Sequence, residues 1–403
     1  MKKRVLFVDD EPLVLEGLER TMRPLRAEWD MAFIPSGELA LDAMAALPYD
    51  VVVSDMQMPG MSGAEFLRQV KERHPTTVRI ALSGHADQEL ALRGMDAAHQ
   101  YLSKPCDPAL LKARIQQVGE LGVGMADRGI LGLVSRIDRF PSPPELYLRL
   151  VHAMETEKCG TEDLGRIVAD DPGMSAKLLK LANSAFFGLH RQVASPIEAV
   201  AFLGADTLRS LVLAHGIFGG APPLITKNLT IQEIWSHSLH VGMGAKVIAG
   251  MEGLSRAQQE VAYAAGLLHD LGILVLASWA PKEYDEILGQ ARAGEVVLDH
   301  AEQKAFGATH SDLGGYLMDL WGLPEALSRA AAFHHRPSLA HHASFSPVSA
   351  VHVAESLAWS LDGSPGFEAA QLDMDHFQAV GRSDRLEEWR QVMATACAEE
   401  APL

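Results

Sequence analysis

Four short apolar runs near the start of the chain each stop at a reactive or charged side chain. Val5–Val8 ends at Asp9-Asp10, Val51–Val53 leads through Ser54 to Asp55, Val78–Leu82 ends at Ser83, and Gln100–Ser103 ends at Lys104-Pro105. Helical apolar spacing over Pro12–Leu25, Gly37–Leu47, Gly63–Arg73, Asp87–Ala97 and Pro108–Val118 makes this five repeats of strand then helix. Such short continuous runs are strands buried on both faces, and right-handed crossovers lay the helices over both sides of a parallel sheet. Residues 1–118 are therefore expected to form a doubly wound, three-layer α/β domain on a parallel five-stranded sheet. Open sheets of this kind gather their chemistry at the carboxyl ends of the strands, so Asp9, Asp10, Asp55, Ser83 and Lys104 belong to one pocket. Three crowded carboxylates repel one another, and a divalent cation together with the Lys104 ammonium would offset them. That arrangement suits phosphoryl transfer to a carboxylate.

After this domain the pattern changes. Residues 119–139 are rich in glycine yet keep apolar spacing at Ile130, Leu131, Leu133, Val134 and Ile137, and read as a partly helical linker. Phe140-Pro141-Ser142-Pro143-Pro144 marks a boundary, because prolines stop one element and open the next helix. Beyond it strand signals vanish. Helical periodicity is expected over Glu145–Glu155, Thr161–Asp170, Gly173–Ser184, Ser195–Leu203, Ala205–His215, Ile231–Met251, Arg256–Ser278, Pro281–Ala293, Val297–Phe306, His310–Trp321, Pro324–His334 and Pro347–Leu361. The second domain, residues 140–362, is thus larger and all-helical. Residues 363–403 add two short helices and an acidic tail.

Composition narrows the function classes. Of the chain's net charge of -17, little falls in residues 1–118, where 14 Lys+Arg face 17 Asp+Glu; the remainder carries 21 against 35. A nucleic-acid-binding output would need a basic face to neutralise phosphates, so no nucleic acid partner is expected. Met1-Lys2-Lys3-Arg4 resembles a signal n-region, but Val5–Val8 is too short for an export core and runs into Asp9-Asp10-Glu11. No apolar run is read as long enough to span a bilayer, so the expectation is a cytoplasmic protein without a membrane partner. Cys106, Cys159 and Cys397 are odd in number and far apart, which implies neither a disulfide framework nor a cysteine zinc site.

The run Val51-Val52-Val53-Ser54-Asp55-Met56-Gln57-Met58-Pro59-Gly60-Met61-Ser62-Gly63, with Asp9-Asp10, Ser83 and Lys104-Pro105, closely resembles the receiver family of two-component systems, whose fold is flavodoxin-like. The resemblance implies that Asp55 is the phosphoacceptor and that Asp9, Asp10, Asp55 and the backbone carbonyl of Gln57 bind Mg²⁺. It further implies that Lys104 pairs with the phosphoryl oxygens, that Ser83 and Tyr101 are the switch hydroxyl and aromatic, and that the Lys104-Pro105 bond is cis. Each residue taken alone reads more simply as a cap, a turn or a surface charge; the set does not.

Asp170 through Gly188, Ala199–Gly204, Trp235-Ser236-His237-Ser238, Gly266-Leu267-Leu268-His269-Asp270-Leu271-Gly272, His310 and Gly322-Leu323-Pro324 together resemble the HDOD domain, a divergent relative of the HD hydrolases. Independently of that likeness, His237, His269, Asp270, His310, His334 and His335 all lie in helical segments, where several helices can present imidazoles to a common ion. By resemblance the metal ligands, for a transition metal, would be His237, His269, Asp270, His310 and His335. Ile273 stands where cyclic-dinucleotide hydrolases have a lysine, no Gly-Tyr-Pro occurs, and Glu355 replaces the aspartate of the wider family. These departures weaken phosphate handling more than metal binding, and leave open hydrogen-bonded core histidines, a metal without turnover, or hydrolysis.

The chain is accordingly expected to be a response regulator, with a histidine kinase or phosphotransfer protein as phosphodonor. Its output module is expected to be noncatalytic and to bind a protein partner or its own copy. The alternative is a receiver-controlled, metal-dependent phosphodiesterase or phosphohydrolase acting on a nucleotide or cyclic dinucleotide.

Overall fold

The computed structural model describes residues 2–83, 97–104, 106–124, 145–154, 159–169, 195–220, 226–361 and 372–397, with isolated positions between 130 and 193. The expected helix over Asp87–Ala97 (apart from Ala97), the Lys104-Pro105 bond, the Pro141–Pro144 boundary and most of the Asp170–Gly188 run lie outside the described residues. Two compact units result, residues 1–148 with 319–322, and residues 149–318 with 323–403.

In the first unit, β1 (Lys3–Val8), β2 (Trp29–Ile34), β3 (Val51–Asp55), β4 (Val78–Ser83) and β5 (Gln100–Ser103) form one sheet in the order β2-β1-β3-β4-β5. Every neighbouring pair is parallel. Its helices are α1 (Pro12–Met22), α2 (Gly37–Ala46), α3 (Gly63–Arg73) and α4 (Pro108–Gly124). α1 stops three residues before the expected Leu25, where Pro24 removes an N–H and the chain tightens into a 3₁₀ turn over Arg23–Ala27. β3 is buried end to end and β1 from Val5 to Val8, as continuous apolar runs require, whereas β2 is an edge strand whose residues are mostly half-buried. Leu6, Val8, Val52, Phe66, Leu67, Val70 and Ala81 lie in one buried core cluster. Strand order reverses at β1, so the crevice beyond the carboxyl ends of β1 and β3 is the ligand-binding end of the sheet.

β4 also carries a buried arginine. Arg79 donates to the carbonyls of Ala97 (2.6 Å) and Thr77 (2.9 Å), and the His99 ring lies between its backbone N–H (3.2 Å to Nδ1) and its guanidinium (2.6 Å to Nε2). Burial, reinforced by the Arg79 and Lys71 charges, holds His99 well below the ordinary histidine range.

The second unit contains, apart from residues 145–148 of α5 and 319–320 of α14, the helices α5 (Glu145–Met154), α6 (Thr161–Ala169), α7 (Pro196–Leu203), α8 (Ala205–Gly220), α9 (Ile231–Met251), α10 (Arg256–Leu268), α11 (Leu271–Trp279), α12 (Pro281–Arg292), α13 (Leu298–Phe306), α14 (His310–Leu320), α15 (Glu325–Ala332), α16 (Pro347–Leu361), α17 (Met374–Ala379) and α18 (Leu386–Cys397). Thr230 and Ser255 start α9 and α10 with reciprocal capping boxes to Glu233 and Gln258. One expectation is corrected. The run Arg256–Ser278 is not a single helix, because the chain breaks at His269-Asp270 before resuming as α11. By length and composition Arg256–Trp279 is also the one segment, among the described residues, apolar enough to cross a membrane, yet 89% of its most apolar window is buried inside the domain. α15 likewise ends at Ala332, so His334 and His335 sit on the turn that follows it rather than in its last helical turn.

Close backbone approaches bring the helices together. A Cβ on Gly266 would lie 2.6 Å from Gly242 Cα, so α9 and α10 pack at a distance that two glycines alone permit. A Cβ on Gly272 would collide with the backbone carbonyl of His310, so α11 and α14 also meet main chain to main chain. Glu252, at the end of α9, anchors the last helices by accepting from Arg382 Nε, Arg385 Nε (3.0 Å) and Trp389 Nε1 (2.9 Å). Its side chain is only 2% exposed.

Glu252→Gln should destabilise the second unit by about 1–3 kcal/mol, the range for hydrogen bonds to a charged group, with Arg382 and Arg385 free to regain water. A lowered urea midpoint and earlier protease cleavage ahead of α18 are the expected readouts, and an unchanged midpoint would count against the anchor. His99 sets a pH dependence. It is neutral in the fold while the unfolded chain takes up a proton below about pH 6.5, so its contribution is present above that pH and is lost as pH falls, at up to about 1.4 kcal/mol per pH unit. Hydrogen-exchange protection of β4 and β5 should drop between pH 7 and pH 5, and less steeply in His99→Asn.

Candidate functional site

Asp9 follows β1 and Asp55 ends β3, so the two carboxylates stand at the point where strand order reverses. Asp9 is pinned from both sides: its N–H donates to Ile34 O (3.3 Å), and its Oδ1 accepts the Glu11 N–H (3.0 Å). Ser54 Oγ donates to the Asp55 carbonyl (2.8 Å), and the next residue, Met56, donates to Leu82 O (3.1 Å), which fixes the strand end. Lys104 crosses from the end of β5. Its ammonium lies 2.6 Å from Asp55 Oδ1 and 2.8 Å from Asp9 Oδ2.

Asp9, Asp10 and Asp55 offer oxygens within 4.8 Å of one another, Asp9 and Asp55 being buried and Asp10 half-buried. Burial pushes the Asp55 carboxyl up, and the Lys104 contacts offset only part of this. Burial would lower Lys104, but its two carboxylates outweigh that and hold its ammonium above the ordinary lysine range. Three carboxylates against one ammonium leave the pocket negative, which fits a hard divalent cation bound through oxygens. Gln57 is exposed on the loop after β3. Ser83 and Tyr101 end β4 and lie in β5, opposite Ser103 and Ala81 respectively, while their side chains lie outside the described residues.

The second constellation lies in the helical unit. His237 comes from α9, His269 and Asp270 from the break between α10 and α11, His310 from the start of α14, and Glu355 from α16. All five are buried, with Asp270 the most exposed at 5%. Glu355 Oε2 lies 2.7 Å from His237 Nε2 and 3.1 Å from His269 Nε2. Asp270 faces two ways: Oδ2 is 3.2 Å from His269 Nε2 and 3.8 Å from His237 Nε2, and Oδ1 is 3.4 Å from His310 Nε2 and 3.9 Å from His334 Nε2. His335 Nε2 lies 3.1 Å from His310 Nε2. All five expected ligands are brought together here.

Second contacts aim these rings. Nδ1 of His269 faces Gly266 O (2.7 Å), and Nδ1 of His334 faces Ala331 O (2.5 Å), so each directs Nε2 inward. His334 Nε2 is buried and makes no hydrogen bond among the described residues. Such an atom, among four other imidazoles and two carboxylates, fits a metal ligand whose ion supplies the missing partner. Burial disfavours charge on His269, but Asp270 and Glu355 outweigh it and hold the ring well above the usual range. In His310 burial is likewise outweighed, chiefly by Glu302, and the ring is pushed up to about 10. Burial and the neighbouring imidazoles push His334 well below the ordinary value.

Glu355 and His334 are thus members of the cluster beyond the five residues expected. Position 355 is the one the sequence sets in place of the wider family's aspartate, and the longer acid reaches these imidazoles. Asp299 and Glu302 of α13 also border His310. An acid on an amphipathic helix reads as a solvated face, and nothing in its spacing marks it otherwise.

Family models match residues 5–116 to the response regulator receiver domain and residues 140–337 to the HDOD domain. An uncharacterized protein of Treponema pallidum is 26% identical over 66% of this chain and 52% of its own length. The hydrogenase transcriptional regulatory protein HoxA of Cupriavidus necator is 35% identical over 33% of this chain and 26% of its own. The chain therefore spans about half the length of the first relative and a quarter of the second. An HDOD domain protein of Geobacter sulfurreducens has the same helical fold, with a TM-score of 0.52 at 22% identity, covering 72% of this chain and 95% of that one. The chain belongs to the proteins that join a receiver domain to an HDOD domain, the domain pair of a two-component response regulator.

Proposed function

We propose that phosphorylation of Asp55 is the input of this response regulator and that the HDOD domain is a binding output whose partner is another protein or a second copy of the chain. The observation that carries the input is the Lys104 ammonium held 2.6 Å from Asp55 and 2.8 Å from Asp9 at the strand ends. A phosphohistidine of a kinase or phosphotransfer protein is the donor. An Asp55 carboxylate oxygen attacks phosphorus in line with the departing imidazole nitrogen; the O–P bond forms as the P–N bond breaks, and the imidazole takes up a proton as it leaves. Asp9, Asp10, Asp55 and the Gln57 carbonyl would hold Mg²⁺, which when bound draws charge off the phosphoryl oxygens. Lys104 turns its donors from Asp55 to a phosphoryl oxygen, and the added charge of about -2 recruits Ser83 and Tyr101 as the switch pair. The setting for this chemistry is the cytoplasm.

For the output, the buried Ile273, in the place of a phosphate-binding lysine, supports a noncatalytic role. The convergence of four histidines on Asp270 and Glu355, with His335 against His310, favours a second reading, in which the domain holds a transition-metal centre and hydrolyses a phosphate ester of a nucleotide or cyclic dinucleotide. There Asp270, with one oxygen toward each group of imidazoles, is the residue that would bridge two ions.

Acetyl phosphate with Mg²⁺ should add one phosphoryl group to the full chain, read as a mass shift, and none to Asp55→Asn or to wild type in EDTA. Equal labelling of Asp55→Asn would overturn the assignment. For the domain, elemental analysis of the full chain is expected to find transition metal at one or two equivalents, with loss to substoichiometric levels in His269→Ala. A panel of nucleotides and cyclic dinucleotides with Mn²⁺ or Fe²⁺ is expected to stay intact, and steady turnover would favour the hydrolase over the binding module.

A further inference from the structure

One short stretch of chain braces both walls of the receiver pocket. Ile34, the last residue of β2, accepts the Asp9 N–H (3.3 Å), and four residues later Glu38 Oε1, in the first turn of α2, accepts the Met61 N–H (3.0 Å). Ser36 caps α2 by accepting the Leu39 N–H (3.3 Å), so the turn that carries Glu38 is itself fixed. Met61 lies in the loop between β3 and α3, which starts just after Asp55 and includes Gln57.

That loop is closed firmly at its base and tied sparsely at its tip. At the base Met56 donates to Leu82 O (3.1 Å) and accepts the Gly63 N–H (3.1 Å), and Ser62 caps α3 by accepting the Glu65 N–H (3.3 Å). Across the tip, residues 57–61, the bond from Met61 to Glu38 is the one main-chain hydrogen bond among the described residues. Gln57, Pro59 and Gly60 are exposed, while Met58 is buried in the core cluster and Met61 packs against it. Gly60 has a φ of 76°, and a Cβ there would stand 3.1 Å from Glu38 Oε1, so the glycine both turns the chain and leaves room for the carboxylate. The Met61 side chain follows its N–H to the same helix: a Cβ on Gly37 would stand 3.0 Å from Met61 Sδ. An exposed acid in a first helical turn reads most simply as a complement to the helix dipole. The dipole asks only for charge near the helix end, whereas Glu38 is aimed at an N–H of another segment.

We propose that Glu38 is a positioning residue for the cation side of the receiver pocket, which by holding Met61 sets the path of the loop and so the place of the Gln57 carbonyl beside Asp9, Asp10 and Asp55. The inference rests on the reading of this pocket as a Mg²⁺-dependent phosphorylation site. Mg²⁺ demands near-ideal octahedral geometry, so a carbonyl ligand on a loop already in place spares the ion the work of ordering it. Glu38 belongs to neither the cation's ligands nor the phosphoryl contacts. Its loss therefore acts on Mg²⁺ affinity and leaves the phosphoryl transfer itself unchanged once the ion is bound.

Mg²⁺ titration of the isotopically labelled full chain, followed by NMR at the amides of residues 55–63, reads affinity without any phosphoryl transfer; labelling by acetyl phosphate at graded Mg²⁺ reads the reaction. Glu38→Ala should raise the half-saturating Mg²⁺ by about 3–10-fold in both measurements, the effect of one exposed hydrogen bond, with the labelling rate at saturating Mg²⁺ within about twofold of wild type. Glu38→Gln keeps an acceptor oxygen and loses the charge, and should stay within about twofold of wild-type affinity. Wild-type affinity in Glu38→Ala would overturn the inference and leave the phosphorylation site intact. Glu38→Gln as weak as Glu38→Ala would also overturn it, since the effect would then be one of charge. Wild type that neither binds Mg²⁺ nor becomes labelled would overturn the reading of the pocket itself.

Discussion

A carboxylate in a helical core must be matched by positive charge or by donors, and Asp270 is where this protein gathers the most imidazoles to meet that requirement. It sits at a break in an otherwise apolar run, with each oxygen turned toward a different group of imidazoles. The break, the close approach of Gly272 to the His310 backbone and the Gly242–Gly266 crossing serve one geometry. Without them α9, α10, α11 and α14 would stand a side chain apart and their histidines could not meet. Ionic and polar groups of this density are costly in a low-dielectric interior unless every one is matched. Glu302 and Glu355 extend the same logic, the first held by His310 and the Tyr284 hydroxyl and the second by His237 and His269.

The receiver pocket answers the same electrostatic problem differently. Its carboxylates stand at strand ends rather than inside a helix bundle, so one edge of the pocket is open, and a single lysine from the end of β5 joins two of the three. The residual negative charge suits the pocket to a hard cation. In the helical unit the imidazoles are many and mostly buried, a donor set that suits first-row transition metals better than hard cations.

How much of this was legible differs between the two units. Asp9, Asp55 and Lys104 could be placed together from strand ends alone, because a parallel sheet puts every strand end on one side. The second strand, Trp29–Ile34, was harder to read, since Asp30 interrupts an edge strand with one solvated face. In the helical unit periodicity located nearly every helix, but it merged α10 with α11. Apolar spacing records which face is buried and is blind to a turn that buries polar groups. His334 could be read among the imidazoles and Glu355 in the place of an aspartate, whereas Asp299 and Glu302 were indistinguishable from any acid on an amphipathic helix.

The amino-acid sequence by itself determined the two fold classes and placed the strand-end residues of the receiver and most of the histidines in their segments, because strand and helix periods and short motifs are local properties. The tertiary structure decided that Asp270 faces two groups of imidazoles and that Glu302 is filled by three donors. Those are distances between helices far apart in the chain. They depend on how closely backbones pack, which no local pattern of residues encodes.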